Sequence, residues 1–166
     1  MSMRKKPWNR LNLPVYSISS HDGNGNHNMH IITYASQISM QPKQFVCGIY
    51  YGTKTLENIE QHNRFVLQIL SKEQYSLVNM LGKKSGKTTN KMAYLLKRGL
   101  TEIWNGYFIL KDALAVIEME ALPLPVPENN VPDHAVYLCN VLAYKNINKG
   151  EALTIDVLRQ KGIVRM

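Results

Sequence analysis

Cysteine is scarce, with Cys47 and Cys139 the two in 166 residues. Each stands inside an apolar, strand-like run, and neither belongs to a close CxxC or Cys/His pair. A disulfide framework is excluded by count, no metal centre is expected, and two core thiols are the better reading. Long hydrophobic runs are missing too, since nothing approaches the roughly 18–20 apolar residues of a membrane helix. The basic start MSMRKKPWNR has no apolar segment behind it, so no secretory signal is read there and a cytoplasmic location is expected. Acidic residues are few, 12 against 20 basic, which leaves a net charge of +8. The surplus is dispersed over Arg4, Lys5, Lys6 and Arg10, over Lys83, Lys84 and Lys87, and over Lys145 and Lys149. Tyr16, Tyr34, Tyr50 and Tyr51 do not alternate with lysines as a base-stacking platform would. Dispersal argues against a nucleic-acid surface and fits a solvated face or a small anionic ligand about equally.

What is present is mostly strand. With 45% apolar and 19% charged residues the chain has the makings of one globular domain over residues 1–166. Pro7 and Pro14 bracket an extended basic lead-in, residues 1–13. Strands are expected at residues 15–19, 31–39, 45–51, 64–70, 107–110, 113–122 and 135–144. The run HDGNGNHN is a turn between the first two, and Pro42 suits the next connection. Thr55 is a candidate N-cap for a helix over residues 56–62. Ser71 and Gln74 have capping-box spacing ahead of a helical stripe of Leu77, Val78 and Leu81, which Gly82 is expected to stop. A further helix is expected over residues 90–98, closed by Gly99. The prolines at 123, 125 and 127 are expected to keep their segment out of any ladder. Strands with short inserted helices predict a mainly β barrel. The last two strands are apolar on both faces, so a partner subunit should cover what the barrel interior does not.

One tempting motif fails. Gly82-Lys83-Lys84-Ser85-Gly86-Lys87-Thr88 has three residues between its glycines where a P-loop needs four, and it follows a helix instead of a strand. The segment suits either an anion-holding loop or a flexible basic one. Thr53, Lys54 and Thr55 lie at a predicted helix N-terminus, where free amides and the dipole favour an anion. By themselves these residues fit a plain threonine cap with an exposed lysine nearly as well. No histidine pair has metal-ligand spacing.

Four segments, in order, resemble the flavin reductase family. Thr33, Ser36 and Ser39 with Pro42 behind them resemble its Thr/Ser-x-x-Ser-x-x-Ser run ending before a proline. Thr53-Lys54-Thr55 with Asn58-Ile59, followed by residues 64–70, resembles Ser/Thr-x-Thr-x-x-Asn-Ile and the strand after it. Ser85-Gly86 with Asn90-Lys91-Met92 resembles Ser-Gly-x-x-x-Asp-Lys-Phe, and Asp133-His134 resembles Gly-Asp-His. Pro132, Cys139-Asn140, Tyr34 and Met92 depart from the family's usual glycine, Gly-Glu, tryptophan and phenylalanine, and bear on the nicotinamide site more than on the flavin.

The resemblance implies a homodimeric split β-barrel binding FMN, with FAD as the alternative. Thr33, Tyr34, Ala35, Ser36, Gln37 and Ser39 would lie along the isoalloxazine, and Thr53, Lys54 and Thr55 at the phosphate. Asn58, Ser85, Gly86 and Lys91 would complete the cofactor set, and His134, near the nicotinamide, is the candidate catalytic residue. It further implies hydride transfer from NAD(P)H to flavin N5, with reduced flavin serving a partner oxygenase or another electron acceptor. A flavin carrier or storage protein without nicotinamide turnover shares the same signature.

Overall fold

The computed structural model describes residues 6–165. In chain order its strands are β1 Tyr16–His21, β2 His27–Ile32, β3 Ala35–Met40, β4 Lys43–Tyr50, β5 Arg64–Ile69, β6 Thr101–Trp104, β7 Tyr107–Leu110, β8 Ala115–Pro123 and β9 His134–Asn146. The α-helices are α1 Lys54–Gln61, α2 Val78–Gly82, α3 Lys91–Lys97 and α4 Ile155–Gln160. Seven strands form one antiparallel sheet in the order β2-β1-β5-β8-β9-β4-β3, and β6 and β7 form a separate hairpin.

Topology alone bends this sheet into a barrel. Its two edges, β2 and β3, are joined by only Thr33 and Tyr34. At roughly 3.3–3.6 Å per residue such a link reaches about 10 Å, so the sheet must curl until its edges nearly meet. Among the described residues no ladder joins β2 to β3, and the barrel stays open along that seam. Ile18, Phe45, Cys47, Phe65, Leu67, Met119 and Cys139 fill the interior, with Leu56 and Ile59 of α1 in the same core. Both cysteines are buried free thiols, as expected. A second core lies outside the barrel, where Met29, Leu70 and Leu110 meet Leu81, Met92, Leu95 and Leu158 of the helices.

Several expectations need correction. Residues 31–39 are not one strand, because the chain leaves one edge of the sheet at Ile32 and enters the other at Ala35. The lead-in is not extended throughout: Pro7–Arg10 is a 3-10 turn with proline at its start, where the missing N–H costs nothing. Residues 1–5 of that expectation lie outside the described residues. Thr53, not Thr55, caps α1, its hydroxyl accepting from Leu56 N at 3.2 Å. The capping box at Ser71 and Gln74 forms, but it opens a 3-10 helix, Lys72–Leu77, that only then passes into α2. Gly82 ends α2 without a positive φ. It lets β2 approach, since a Cβ there would sit 3.2 Å from Ile31 Cβ. Pro123 does enter the ladder, opposite Tyr137, and Leu124 N still donates to Val136 O at 2.9 Å. A proline at a strand end needs no donor on that side. The strand expected over residues 107–110 forms as β7, and β6 pairs with it through a turn not expected, Asn105 and Gly106, whose φ of 49° and 82° suit a two-residue turn.

Candidate functional site

The site begins with a buried polar layer between β2 and α1. Strand alternation puts Asn28, His30 and Ile32 on one face of β2. Asn28 Nδ2 donates to Thr55 Oγ1 at 3.1 Å, and Asn58 Nδ2 donates to Ser20 Oγ at 3.1 Å. The Thr55 and Asn58 side chains therefore lie beneath the surface, tying α1 to the hairpin. Asn58 Oδ1 is buried with no partner among the described residues. Lys91 is 2% exposed, and its ammonium donates to Leu81 O at 2.6 Å and Met29 O at 3.2 Å. Burial pulls its pKa down to about 8. It braces α2, α3 and β2 together from behind the cavity, with two of its three donors engaged by backbone.

Against this layer the 83–90 loop is laid closely. A Cβ on Gly86 would land on the Asn28 side-chain oxygen and 3.1 Å from Lys54 Cβ, so only glycine fits. The loop, the end of β4 and α1 enclose a cavity of about 260 Å³. Its wall includes His30, Thr53, Lys54, Lys84, Ser85 and Gly86 and contains no carboxylate. Thr53 Oγ1 also donates to Tyr50 O at 2.9 Å. The amides of Lys54 and Thr55, at the first turn of α1, have no acceptor among the described residues. Just outside, Glu57 receives Lys87 Nζ at 2.6 Å and Lys54 Nζ at 3.4 Å, and Lys87 chiefly holds its carboxyl below the usual range. Burial and then the Lys91 charge pull His30 down to about 4. A larger cleft, about 770 Å³, shares Asn28, Lys54 and Gly86 and continues past Lys87 and Lys91 to His27 and Phe108.

An aromatic wall adjoins this cavity. The His134 ring lies 4.9 Å from Tyr34 and 5.1 Å from Tyr50, which itself lines the cavity. Asp133 Oδ1 lies 2.6 Å from His134 Nδ1 and so fixes the ring by that nitrogen. Gly48 allows the closure, since a Cβ there would meet Tyr34 Cβ at 3.4 Å and His134 Cβ at 3.6 Å. Thr33 and Ala35 are half-buried beside the exposed Tyr34. β3 pairs only with β4, so alternate amides and carbonyls on its other edge have no strand partner.

The structure thus brings Thr53, Lys54, Ser85 and Gly86 into one cavity, with Lys91, Thr55 and Asn58 behind it and Tyr34 and His134 beside it. It does not bring the far end of β3 there. Ser36 is exposed, Ser39 pairs with Gln44, and Gln37 bonds to Lys43 at a separate apolar cavity of about 410 Å³ beside Phe45 and Tyr144. Sequence reasoning left Asn28, His30 and Tyr50 out of the site and weighed Lys87 only as part of a basic loop. The alternation of Asn28, His30 and Ile32 was the available signal, hidden by starting β2 four residues late.

A flavin mononucleotide fits these features. Its anionic end matches a carboxylate-free wall with lysines and free helix amides, and its polar ring edge matches an unpaired strand edge. Among the described residues no helix is long and apolar enough to cross a membrane. None of their His, Cys, Asp and Glu side chains form a group of three placed to hold a metal.

The family described as flavin reductase like domain matches residues 8–160. No curated protein sequence matches. Among solved structures, the flavin reductase PheA2 in its native state is 22% identical, with a TM-score of 0.70 over 89% of this chain and 87% of that one. The styrene monooxygenase flavin reductase from Pseudomonas putida S12 is 19% identical, with a TM-score of 0.69 over 87% and 86%. The FMN-binding protein from Thermus thermophilus with bound p-hydroxybenzaldehyde is 18% identical, with a TM-score of 0.71 over 93% of each chain. At these identities the likeness is one of fold.

Proposed function

This chain belongs to the flavin reductase like domain family, and from that premise we propose that it binds FMN and uses NAD(P)H to reduce it. Bound flavin supplies the redox chemistry, accepting hydride at N5. The protein's own task is to seat and orient. Lys54, Ser85 and the first amides of α1 hold the phosphate. The backbone edge of Thr33, Tyr34 and Ala35 takes the polar side of the ring. His134, fixed by Asp133, would contact and orient the nicotinamide. No general acid or base is needed for hydride transfer, which suits a site without a carboxylate pair or triad. The carboxylate-free basic cavity beside the Tyr34–His134 wall is the observation that carries this reading.

The functional unit in this proposal is a homodimer. Tyr34 in the β2–β3 link, Ile38 and Met40 on β3, and Leu142 and Tyr144 on β9 are exposed. A patch of that kind is rare on monomers. Reduced flavin would pass to a partner enzyme, as the name of the styrene monooxygenase flavin reductase implies for that protein.

Visible absorbance on adding FMN, followed by anaerobic NADH or NADPH, tests the proposal. Binding with bleaching over repeated turnovers is expected, and His134→Ala should slow bleaching while leaving FMN affinity nearly unchanged. Binding without bleaching by either nucleotide would reduce the protein to a flavin carrier. Lys54→Ala should weaken FMN by about 1.5–3 kcal/mol, the worth of a charge-assisted contact, and leave riboflavin untouched. Equal losses for both ligands would remove Lys54 from the phosphate.

A further inference from the structure

His30 is a titratable side chain in the wall of the 260 Å³ cavity, and neither the fold nor the proposed hydride transfer uses it. Its neighbours on the same face of β2 are committed elsewhere: Asn28 bonds to Thr55, and Ile32 enters the barrel core. Among the described residues the His30 ring makes no hydrogen bond within the protein, so its polar edge is left to whatever fills the cavity. The charged groups around it are nearly all cations. Lys54 comes from α1, Lys83 and Lys84 from the loop, and Lys91 from α3. Lys83 is partly spent on Ile163 O at 3.0 Å. Tyr50 and Tyr51, at the end of β4 and just beyond it, complete the wall, and the Glu57 carboxylate outside it is paired with Lys54 and Lys87. A half-buried imidazole among lysines stays neutral and cannot donate from both nitrogens.

We infer, resting on the FMN reading above, that His30 is a proton-gated ligand of the FMN phosphate. It is neutral in the free protein, gains a proton as the phosphate enters, and donates an N–H to a phosphate oxygen. The sign follows from charge. Burial and Lys91 hold the ring down to about 4 in the free protein. An anion within about 4–6 Å opposes both, lifting a histidine by roughly one to three pH units. The bound ring then titrates higher than the free one, back toward the ordinary histidine range. FMN retention becomes pH-dependent through a residue of this chain, over and above the second ionisation of the phosphate itself.

Calorimetric titration of the full chain with FMN at pH 6, in two buffers of different ionisation enthalpy, counts the protons exchanged. The wild type should take up roughly half a proton more than His30→Asn. The subtraction removes the ionisation of the free phosphate, which both proteins share, and the ring resonances of His30 separate that residue from the phosphate it is coupled to. His30→Asn should also weaken FMN about tenfold at pH 6, distinctly less at pH 8, and riboflavin not at all. Should the variant fold poorly, the His30 ring resonances of the wild type give a second readout. They should move toward the protonated position on adding FMN and, more weakly, on adding inorganic phosphate, but not on adding riboflavin. Equal proton uptake by wild type and variant, or ring resonances unmoved by saturating FMN, would overturn the inference while leaving FMN binding intact. If FMN does not bind, the FMN reading falls instead, and the response of the ring to inorganic phosphate still decides whether His30 meets a phosphate.

Discussion

The two edges of the one sheet have opposite fates. β2 is covered by the chain itself: α2 and α3 pack on it, Met29 is buried, and Gly82 lies against Ile31. β3, two residues further along, is bare, with Ile38 53% and Met40 90% exposed. An uncovered edge is a template for pairing and is normally blunted. Here Lys43 and a register shift between Gln37 and Ser39 are the visible protections. The difference teaches where the chain is self-sufficient. It finishes the β2 edge with its own helices and gains a polar cavity there, and it leaves the β3 edge uncovered.

The covered edge should break most easily at Lys91. Its ammonium satisfies two carbonyls, Leu81 O and Met29 O, in a place closed to water. Lys91→Ala leaves both unsatisfied and opens a cavity, so a loss of about 3 kcal/mol in unfolding free energy is expected. Urea denaturation without flavin measures it. A loss below about 1 kcal/mol would mean that α2 and α3 hold β2 without this brace.

Acid should separate the two edges by a similar amount. His30 sits on β2 with its pKa drawn down to about 4, from about 6.5 in an unfolded chain, whereas β3, with sequence ASQISM, carries nothing that titrates. Below pH 6.5 the unfolded chain takes up a proton that the fold refuses, so stability falls as pH drops from about 6.5 toward 4. For His30 the loss over that window is about 3 kcal/mol at most. His21 and His27, both lowered mainly by burial, add in the same direction. Denaturation midpoints at pH 7, 5.5 and 4 should decline for the wild type and decline less for His30→Asn. Parallel declines would show that His30 is solvated in the folded state.

The comparison also explains what could be read from sequence. Local signals held where local physics decides: the turn at residues 22–26, the helix expected over residues 90–98, which forms as α3 with Asn90 capping it, and Gly99 at φ 63° all stand where composition put them. Thr53 and Lys54 were legible because a helix N-terminus is a local feature. The break at Thr33 and Tyr34 was not, because apolar alternation continues through it and only the barrel's closure forces the chain from one edge to the other. For the same reason the one expected strand runs on through Ser36, Gln37 and Ser39, which lie along β3 outside the wall of the cavity. Lys91 shows a further limit. A lysine in a motif can be a ligand or a buried brace, and only the Leu81 and Met29 carbonyls reveal which bonds it makes here.

The smallest effect on stability is expected at the bare edge, where the change in assembly should be plain. Ile38 and Met40 are exposed, so replacing both by lysine removes little buried area within the chain. Surface substitutions of this kind usually stay within about 0.5 kcal/mol. If a second copy covers the β3 edge, the same change places four extra charges, two from each copy, into one apolar contact, where unpaired charges are costly to bury. Ile38→Lys with Met40→Lys should therefore leave the unfolding midpoint of the dissociated chain nearly unchanged and shift light scattering from a dimer toward a 19.0 kDa particle. FMN should still bind the monomer through Lys54 and Ser85, but with the ring edge less protected and the affinity reduced. A double variant that stays dimeric would place the subunit contact away from β3, and a wild type that is already monomeric would leave that edge to the cofactor alone.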